Sequence, residues 1–431
     1  MKRVTTTVKV LSSATVVGLL LAACSSVSPS ASATGSNTGL VTTTKSSGTV
    51  KLGLPYVDTA PLAAEGVNID QGSYPDAFNA LVANLNAHGG INGKKVITFT
   101  EKVNPVSSTA AASACTTFTQ DNKVLAVIGP VYPLCYQQGG VASIAGTIGA
   151  SSSPKLAPNF TLTPPASAFD PLLIQAMSNK GVFKGMKVGV IATSADKPEM
   201  NGVLTSLKKQ KVDVVQTAIN SAPNGDLAAS EQQIQAISQR FQSSGIKVVV
   251  GVGSGSTSWL VGMEGIQSPY TPRIVATNAT TFLGTVDGKG TNDPKYLKGA
   301  ISATPIPSQT VIWKDPAIQK CVSIIKKAYP STDVGDPIGS ASTSVTPWVA
   351  SENTCQWLDM FSTIAKAAGK NLTPRTFQAA GYGLRNVTFP GAGASVSFGP
   401  GRSYALGPVY LMNYNMQSHQ LVTSETPTKT N

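Results

Sequence analysis

Short apolar segments alternate with amphipathic helical segments from residue 50 onward, and this alternation restricts the fold more than any other feature. In the segment 78–85, apolar residues recur at the i, i+3, i+4, i+7 spacing that gives a helix one buried face. Strands that alternate with such helices predict an α/β fold, with parallel sheets covered by helices on both faces. The predicted strands are 50–54, 96–99, 124–128, 188–191, 248–252 and 274–276, and helices are predicted from Tyr74, over 110–118, around 234–241, from Asp315 and from Thr346.

The chain has 431 residues, which is too long for one compact domain and sufficient for two lobes with separate cores. Charged residues make up only 13% of it, which is typical of an exported protein with a Ser-, Thr- and Gly-rich surface.

The net charge of +12 does not predict nucleic-acid binding, because the basic residues are scattered apart from short pairs such as Lys94-Lys95. Removal of Lys2, Arg3 and Lys9 with a leader would leave +9. The two histidines, His88 and His419, are far apart, so we expect no metal site, no Ser-His-Asp triad and no cofactor.

Residues 1–23 have the features of an export signal: three basic residues and then the short apolar core 14–21. The core is too short for a permanent membrane span. Leu21-Ala22-Ala23-Cys24 resembles the bacterial lipobox, which predicts a lipid-modified Cys24 that attaches the protein to a membrane. An ordinary signal peptide with an incidental Cys24 is the alternative. The Ser/Thr/Gly-rich remainder of 24–48 is expected to be a flexible tether.

Four cysteines remain after Cys24, and an even number in an exported chain favours disulfides. Of the three possible pairings we expect Cys115–Cys135 and Cys321–Cys355, because each pair lies within one local α/β segment. Buried free thiols are the alternative.

The segment 87–96 (AHGGINGKKV) resembles the turn after the first helix in branched-chain amino-acid-binding receptors, the type I periplasmic binding proteins. The segment 124–130 (VLAVIGP) resembles the third strand of that family, and Leu134-Cys135 matches the position of its second N-lobe cysteine. The resemblance extends from Val50 to the end of the chain and supports the Cys115–Cys135 pairing.

The resemblance implies two Rossmann-like lobes joined by three crossovers, with a ligand in the cleft between them. We expect crossovers near 161–169, 306–311 and 395–405. The N-terminal lobe is then 49–165 plus 307–398, and the C-terminal lobe is 166–306 plus 399–431.

In function, the resemblance implies a monomeric receptor that is not an enzyme and closes on a small polar solute. The receptor would deliver the solute to the permease of an ABC-type importer, from the outer face of the cell membrane or the periplasm. The alternatives are a sensory or adhesive surface lipoprotein without a transporter and an exported enzyme on the same fold. The enzyme would need an acid, a base and a nucleophile clustered in the cleft, which the sequence does not indicate.

In amino-acid-binding relatives, a serine after the Leu-Cys pair and a run of small residues after the fourth strand hold the ligand carboxylate. Tyr136 replaces that serine here, and Ser151, Ser152 and Ser153 provide the run. A polar turn is the alternative interpretation of the three serines.

Relatives also use a tyrosine and a carboxylate on the second lobe, where this chain has Met200 and Asn278. An amide cannot neutralise an ammonium group as a carboxylate does. The resemblance therefore implies a neutral or anionic ligand, such as an amide, a urea-like molecule, a carboxylate or an aromatic acid, more than a zwitterionic α-amino acid.

Four aromatic residues are candidates for stacking against the ligand: Tyr56, Tyr132, Tyr136 and Trp348. A single aromatic residue of this kind belongs to the core or the surface more often than to a site. The run Gly251-Val252-Gly253-Ser254-Gly255 lacks the third glycine of a dinucleotide-binding loop and a following acid, so we interpret it as close packing between a strand and a helix.

Overall fold

The structure is a computed structural model that describes residues 48–61, 69–104, 107–130, 132–145, 153, 155–223, 226–283, 285–286, 292–338 and 345–428. The predicted signal peptide, Cys24 and nearly all of the predicted tether lie outside these residues. Among the described helices, none has the length and apolar character needed to cross a membrane.

Two sheets are each covered by helices on both faces, as the alternating sequence pattern predicts. All six predicted strands are present. The helices are α1 (Tyr74–Ala87), α2 (Ser108–Thr116), α3 (Leu134–Gln138), α4 (Ala166–Asn179), α5 (Lys197–Lys209), α6 (Leu227–Ser243), α7 (Gly255–Gly265), α8 (Ala279–Leu283), α9 (Pro294–Leu297), α10 (Gln309–Trp313), α11 (Pro316–Ala328), α12 (Trp348–Ala367) and α13 (Pro374–Gly383), and a π-helical turn (Thr117–Asp121) continues α2.

The first sheet is entirely parallel. It consists of β1 (Thr49–Val57), β2 (Lys95–Val103), β3 (Ala126–Ile128), β4 (Ala142–Ile144) and β5 (Asn159–Phe160). The strand order is β2-β1-β3-β4-β5, so the carboxyl ends of all five strands share one edge.

The second sheet adds an antiparallel edge to a parallel centre. Its strands are β6 (Lys187–Thr193), β7 (Asp213–Asn220), β8 (Val248–Val252), β9 (Arg273–Ala276), β10 (Ile301–Thr304), β13 (Tyr410–Asn415) and β14 (Gln420–Thr423), while β11 (Ser397–Gly399) and β12 (Arg402–Leu406) form a separate ribbon. The order is β14-β13-β10-β9-β8-β6-β7, with β13 antiparallel to both of its neighbours. The end of the chain therefore completes this sheet.

The turn that carries the family resemblance connects three elements through two asparagine side chains. Asn86 exchanges two hydrogen bonds with the backbone of Val96, at 2.8 and 2.9 Å, and so fixes the start of β2. Asn92 donates to the carbonyls of Ala365 and Gly369 and so caps the end of α12. Gly90 has a φ of +64°, and a Cβ there would lie 2.1 Å from the Lys94 carbonyl oxygen, so only glycine fits.

The chain passes between the cores of the two sheets three times. The core of the first sheet includes residues up to Phe160 and again from Trp313 to Ala405, and the cores of the second sheet include residues 169–303 and 409–421. The first passage pairs with β12, just before the third passage: the Thr161 N–H donates to the Ser403 carbonyl, and the Ala405 N–H donates to the Thr161 carbonyl. Because Ala405 packs into the first core, we propose that the third crossover lies after Ala405, beyond the predicted range of 395–405. We likewise propose that the two cores mark two lobes.

The four cysteines that the structure describes form one disulfide, between Cys321 of α11 and Cys355 of α12, as expected from the sequence. The expected second disulfide is not formed, because Cys115 and Cys135 are free thiols. The Cys135 thiol donates a hydrogen bond to the Tyr132 carbonyl at 3.9 Å, and the neighbouring Cys135 side chain lowers the pKa of Cys115.

Candidate ligand-binding site

Three of the predicted site residues come together at the carboxyl edge of the first sheet. Tyr56, Tyr132 and Tyr136 line a cavity of about 10 Å³, together with Pro55, Val103 and Ala111. This volume corresponds to about one water molecule. Tyr136 is only 3% exposed and packs against Phe118, with ring centroids 6.0 Å apart, and burial raises the pKa of its hydroxyl. Tyr136 therefore lies in the hydrophobic core, beside the carboxyl edge of the first sheet.

The other first-lobe candidates do not join this group. Trp348 begins α12 and is buried in the first core. Ser153 is half-buried, and its hydroxyl accepts a hydrogen bond from the Lys155 N–H at 3.4 Å. Ser151 and Ser152 lie outside the described residues.

On the second sheet, the two candidates occupy different environments. Met200 of α5 is buried in the core between α4, α5 and the sheet. Asn278 is half-buried directly after β9, and its backbone carbonyl accepts a hydrogen bond from Phe282 in α8. Asn278 thus lies at the carboxyl edge of the sheet, whereas Met200 contributes to the core.

Asp196 is a residue at this edge to which sequence reasoning gave no role. Its Oδ2 accepts a hydrogen bond from the Thr193 hydroxyl at 2.6 Å and another from the Ser254 N–H at 2.9 Å. It therefore ties the end of β6 to the turn after β8. A Cβ on Gly253 would lie 2.4 Å from the Asp196 carboxyl carbon, and Gly253 has a φ of +55°, so the contact requires glycine. Asp196 and Gly253 are 57 positions apart in the sequence, so no local sequence pattern indicates their contact.

The glycine run after β8 serves close packing. A Cβ on Gly251 would lie 2.5 Å from the Ser256 Cα, and a Cβ on Gly255 would lie 2.6 Å from the Ile191 carbonyl oxygen. The run brings α7 against β6 and β8, in agreement with the packing interpretation of the sequence.

A much larger cavity, of about 530 Å³, lies at the three passages between the two cores. We call it the crossover cavity. Its lining includes residues of all three passages (161–165, 305–307 and Gly407) and the start of α12, where Glu352 and Trp357 contribute. None of the seven predicted ligand-binding residues that the structure describes lines it.

Among the described residues that line the crossover cavity, Glu352 is the acidic one, and it is 8% exposed. Its Oε1 accepts a hydrogen bond of 2.6 Å from the Gln309 side chain. Burial raises the pKa of Glu352 from 4.5 to about 7, and the Gln309 hydrogen bond opposes this shift without cancelling it. In the part of the chain that the structure describes, no group of three or more His, Cys, Asp and Glu side chains could hold a metal ion.

No protein-family model matches the sequence, and no curated protein matches it closely enough in sequence to count as a relative. Solved structures are similar in fold. An ABC transporter substrate-binding protein from Desulfitobacterium hafniense in complex with Leu superimposes with a TM-score of 0.57, at 15% identity, over 87% of this chain and 99% of that one.

Two further structures are similar to the same extent. A putative branched-chain amino acid ABC transporter protein from Rhodospirillum rubrum has a TM-score of 0.58 at 14% identity, over 87% of this chain and all of that one. A solute-binding protein from R. palustris in complex with 4-hydroxybenzoate has a TM-score of 0.54 at 16% identity, over 88% and 97%. With its two helix-covered sheets and three connecting passages, the chain has the type I periplasmic binding protein fold.

Proposed function

We propose that the protein is the extracytoplasmic solute-binding component of an ABC-type importer, held at the membrane through a lipid on Cys24. The observation that carries the proposal is the threefold passage of the chain between two separate cores. Short connections of this kind allow two lobes to close on a ligand as rigid bodies. The similar structures that bind Leu and 4-hydroxybenzoate support a small solute as the ligand.

The edge of the second sheet supports a neutral or anionic solute. Asn278 carries an amide where a carboxylate would pair with an ammonium group. The carboxylate nearby, Asp196, already holds the ends of β6 and β8 together through Thr193 and Ser254. An aromatic or aliphatic carboxylate or a short amide therefore suits this edge better than an α-amino acid.

Thermal unfolding of the Cys24→Ser chain in the presence of single solutes tests the proposal. A ligand at 100 times its dissociation constant stabilises the folded state by about 2.7 kcal/mol. We expect 4-hydroxybenzoate, an aliphatic carboxylate or a short amide to raise the melting temperature, and leucine to have no effect. If leucine alone acts, the receptor function stands and the ligand class is wrong. If no solute acts after bound ligand has been removed by refolding, the protein is not a solute receptor for these classes.

Replacing Asn278 by aspartate should shift the preference toward amino acids. A carboxylate at this position would attract the ammonium group of leucine and repel a ligand carboxylate, and we expect leucine affinity to rise about tenfold. Calorimetric titration of both ligands measures the change. Asn201→Asp, at an exposed position of α5, introduces the same charge and should leave both affinities unaltered. Equal behaviour of the two variants would contradict the assignment of Asn278.

The lipid attachment has a direct cellular test. In the cell that exports the protein, Cys24→Ser should move it from the membrane fraction to the soluble fraction, because the thiol that takes the lipid is gone. Immunoblotting of both fractions measures the distribution. Cys115→Ser is the matched control and should stay with the membrane. Retention of Cys24→Ser in the membrane fraction would contradict lipidation at this residue.

A further inference from the structure

Exposed lysines gather at the amino edge of the first sheet, opposite to the edge at which the ligand-binding candidates lie. Lys95 begins β2 and pairs with Thr49, the first residue of β1. Lys123 precedes β3 on the other side of β1. Lys51 of β1 lies between them, and its Nζ donates to the Asn122 carbonyl at 3.0 Å. Three neighbouring strands thus carry a positive charge at the end where they begin.

The end of α12 adds two lysines to this edge. Asn92, in the turn just before β2, donates to the carbonyls of Ala365 and Gly369, so α12 ends beside the start of β2. Lys366 and Lys370 follow these two carbonyls directly in the sequence, and both are exposed. We call the five lysines the basic edge: Lys51, Lys95, Lys123, Lys366 and Lys370.

The acidic groups close to the basic edge do not neutralise it. Asp121 is exposed two positions before Lys123, and the half-buried Asp359 of α12 attracts Lys366. The two ion pairs in the described part of the chain involve none of these groups. Five ammonium groups against two carboxylates leave the surface with a net positive charge, which favours an anionic partner.

The proposed tether reaches the fold at this same edge. The chain enters β1 at Thr49, which lies between the strands that start near Lys95 and Lys123. A flexible segment as long as 25–48 has a root-mean-square end-to-end distance of about 25–30 Å. A lipid on Cys24 would therefore hold the basic edge close to the bilayer surface.

We propose that the basic edge docks on the anionic phospholipid surface to which the lipid on Cys24 attaches the chain. This inference rests on the lipid attachment in the proposed function. Lysines near an anionic bilayer are attracted to the lipid phosphates over a distance of about one Debye length. The tether raises the local concentration of these phosphates, so individually weak contacts are sufficient. Because the five strands are parallel, the carboxyl edge of the sheet then points away from the bilayer.

Sedimentation with lipid vesicles tests the docking without the covalent lipid. The protein is the chain from residue 24 onward with Cys24→Ser, which retains every residue that the structure describes. One set of vesicles contains phosphatidylglycerol and phosphatidylcholine in equal parts, and the other contains phosphatidylcholine alone. We expect the protein to bind the anionic vesicles and not the neutral ones, and to be released by added sodium chloride.

Two fourfold variants locate the contact. Replacing four lysines of the basic edge by glutamine should weaken binding to the anionic vesicles about tenfold or more. The substitutions are Lys95→Gln, Lys123→Gln, Lys366→Gln and Lys370→Gln. The matched control removes the same charge from exposed positions beside the second sheet and should bind like the parent. Its substitutions are Lys180→Gln, Lys184→Gln, Lys208→Gln and Lys209→Gln.

Several results would overturn the docking. They are equal binding to both sets of vesicles, absence of binding to the anionic set, and an equal loss in the two fourfold variants. Release by millimolar inorganic phosphate at constant ionic strength would also overturn it, because the edge would then be a site for the free anion. Both variants should keep the melting temperature of the parent and its increase with solute, so failure of the docking is distinguishable from failure of the receptor function.

Discussion

Replacing Phe160 by alanine should lower the free energy of unfolding by about 3–5 kcal/mol, the range for removal of a fully buried aromatic ring. Phe160 ends β5 and is fully buried. Its ring meets Phe377, Tyr382 and Phe398 at centroid distances of 6.2, 5.5 and 5.7 Å. A Cβ on Gly381 would lie 2.2 Å from this ring, which leaves little room for neighbours to shift. The cavity would therefore stay largely open.

Denaturant unfolding followed by circular dichroism measures the decrease in the free energy of unfolding. Phe99→Ala is the control, because this half-buried ring lies on β2 and removing it should cost clearly less. If Phe160→Ala cost no more than the control, the aromatic cluster would not be the connection between the first sheet and the returning segment that the structure indicates.

Replacing Asp170 by asparagine should stabilise the protein in alkaline solution, by something on the order of 3 kcal/mol. Asp170 of α4 is 2% exposed and has no hydrogen-bond or ion-pair partner among the residues that the structure describes. Burial, reinforced by the negative charge of Glu199, raises its pKa from 3.8 to about 8. Asparagine has nearly the same shape and carries no charge to bury.

The sign follows from proton uptake. The folded state holds a proton on Asp170 that the unfolded state has released, so the free energy of unfolding falls as the pH rises from about 4 to about 8. The gain from Asp170→Asn should be small near pH 4 and full above pH 8. Melting temperatures across this range measure it. Asp213→Asn, at an exposed position, should show no such gain, and a gain for Asp170→Asn that does not depend on pH would contradict the explanation.

The sequence could predict the fold class because the elements that define it have a local period. The apolar runs at 188–191 and 248–252 become central strands of the second sheet, and the apolar spacing of 78–85 becomes the buried face of α1. Strands of two or three residues, such as β4 and β5, have no room for a period. They follow from the pairing of β4 with β3 and of β5 with β4, which are tertiary contacts.

The residues of the candidate site were harder to predict from the sequence, because the burial of a side chain depends on residues that are distant in the sequence. Tyr136 was considered for ligand stacking, and Phe118 across the α2–α3 contact buries it. The crossover cavity combines residues from 145 to 407, and its polar end depends on Gln309 meeting Glu352. Neither the Tyr136–Phe118 contact nor the Gln309–Glu352 hydrogen bond corresponds to a sequence motif, so both are visible only in the folded structure.

The order in which the chain returns to each core has a consequence for the export that we propose. The first core needs residues up to Ala405, and the second sheet needs β13, which begins at Tyr410. When the chain is threaded through a membrane from its amino end, neither lobe can close its core until nearly all of it has crossed. We therefore expect the polypeptide to stay unfolded and protease-sensitive during the proposed translocation, and both halves to fold almost together once the final strands have crossed.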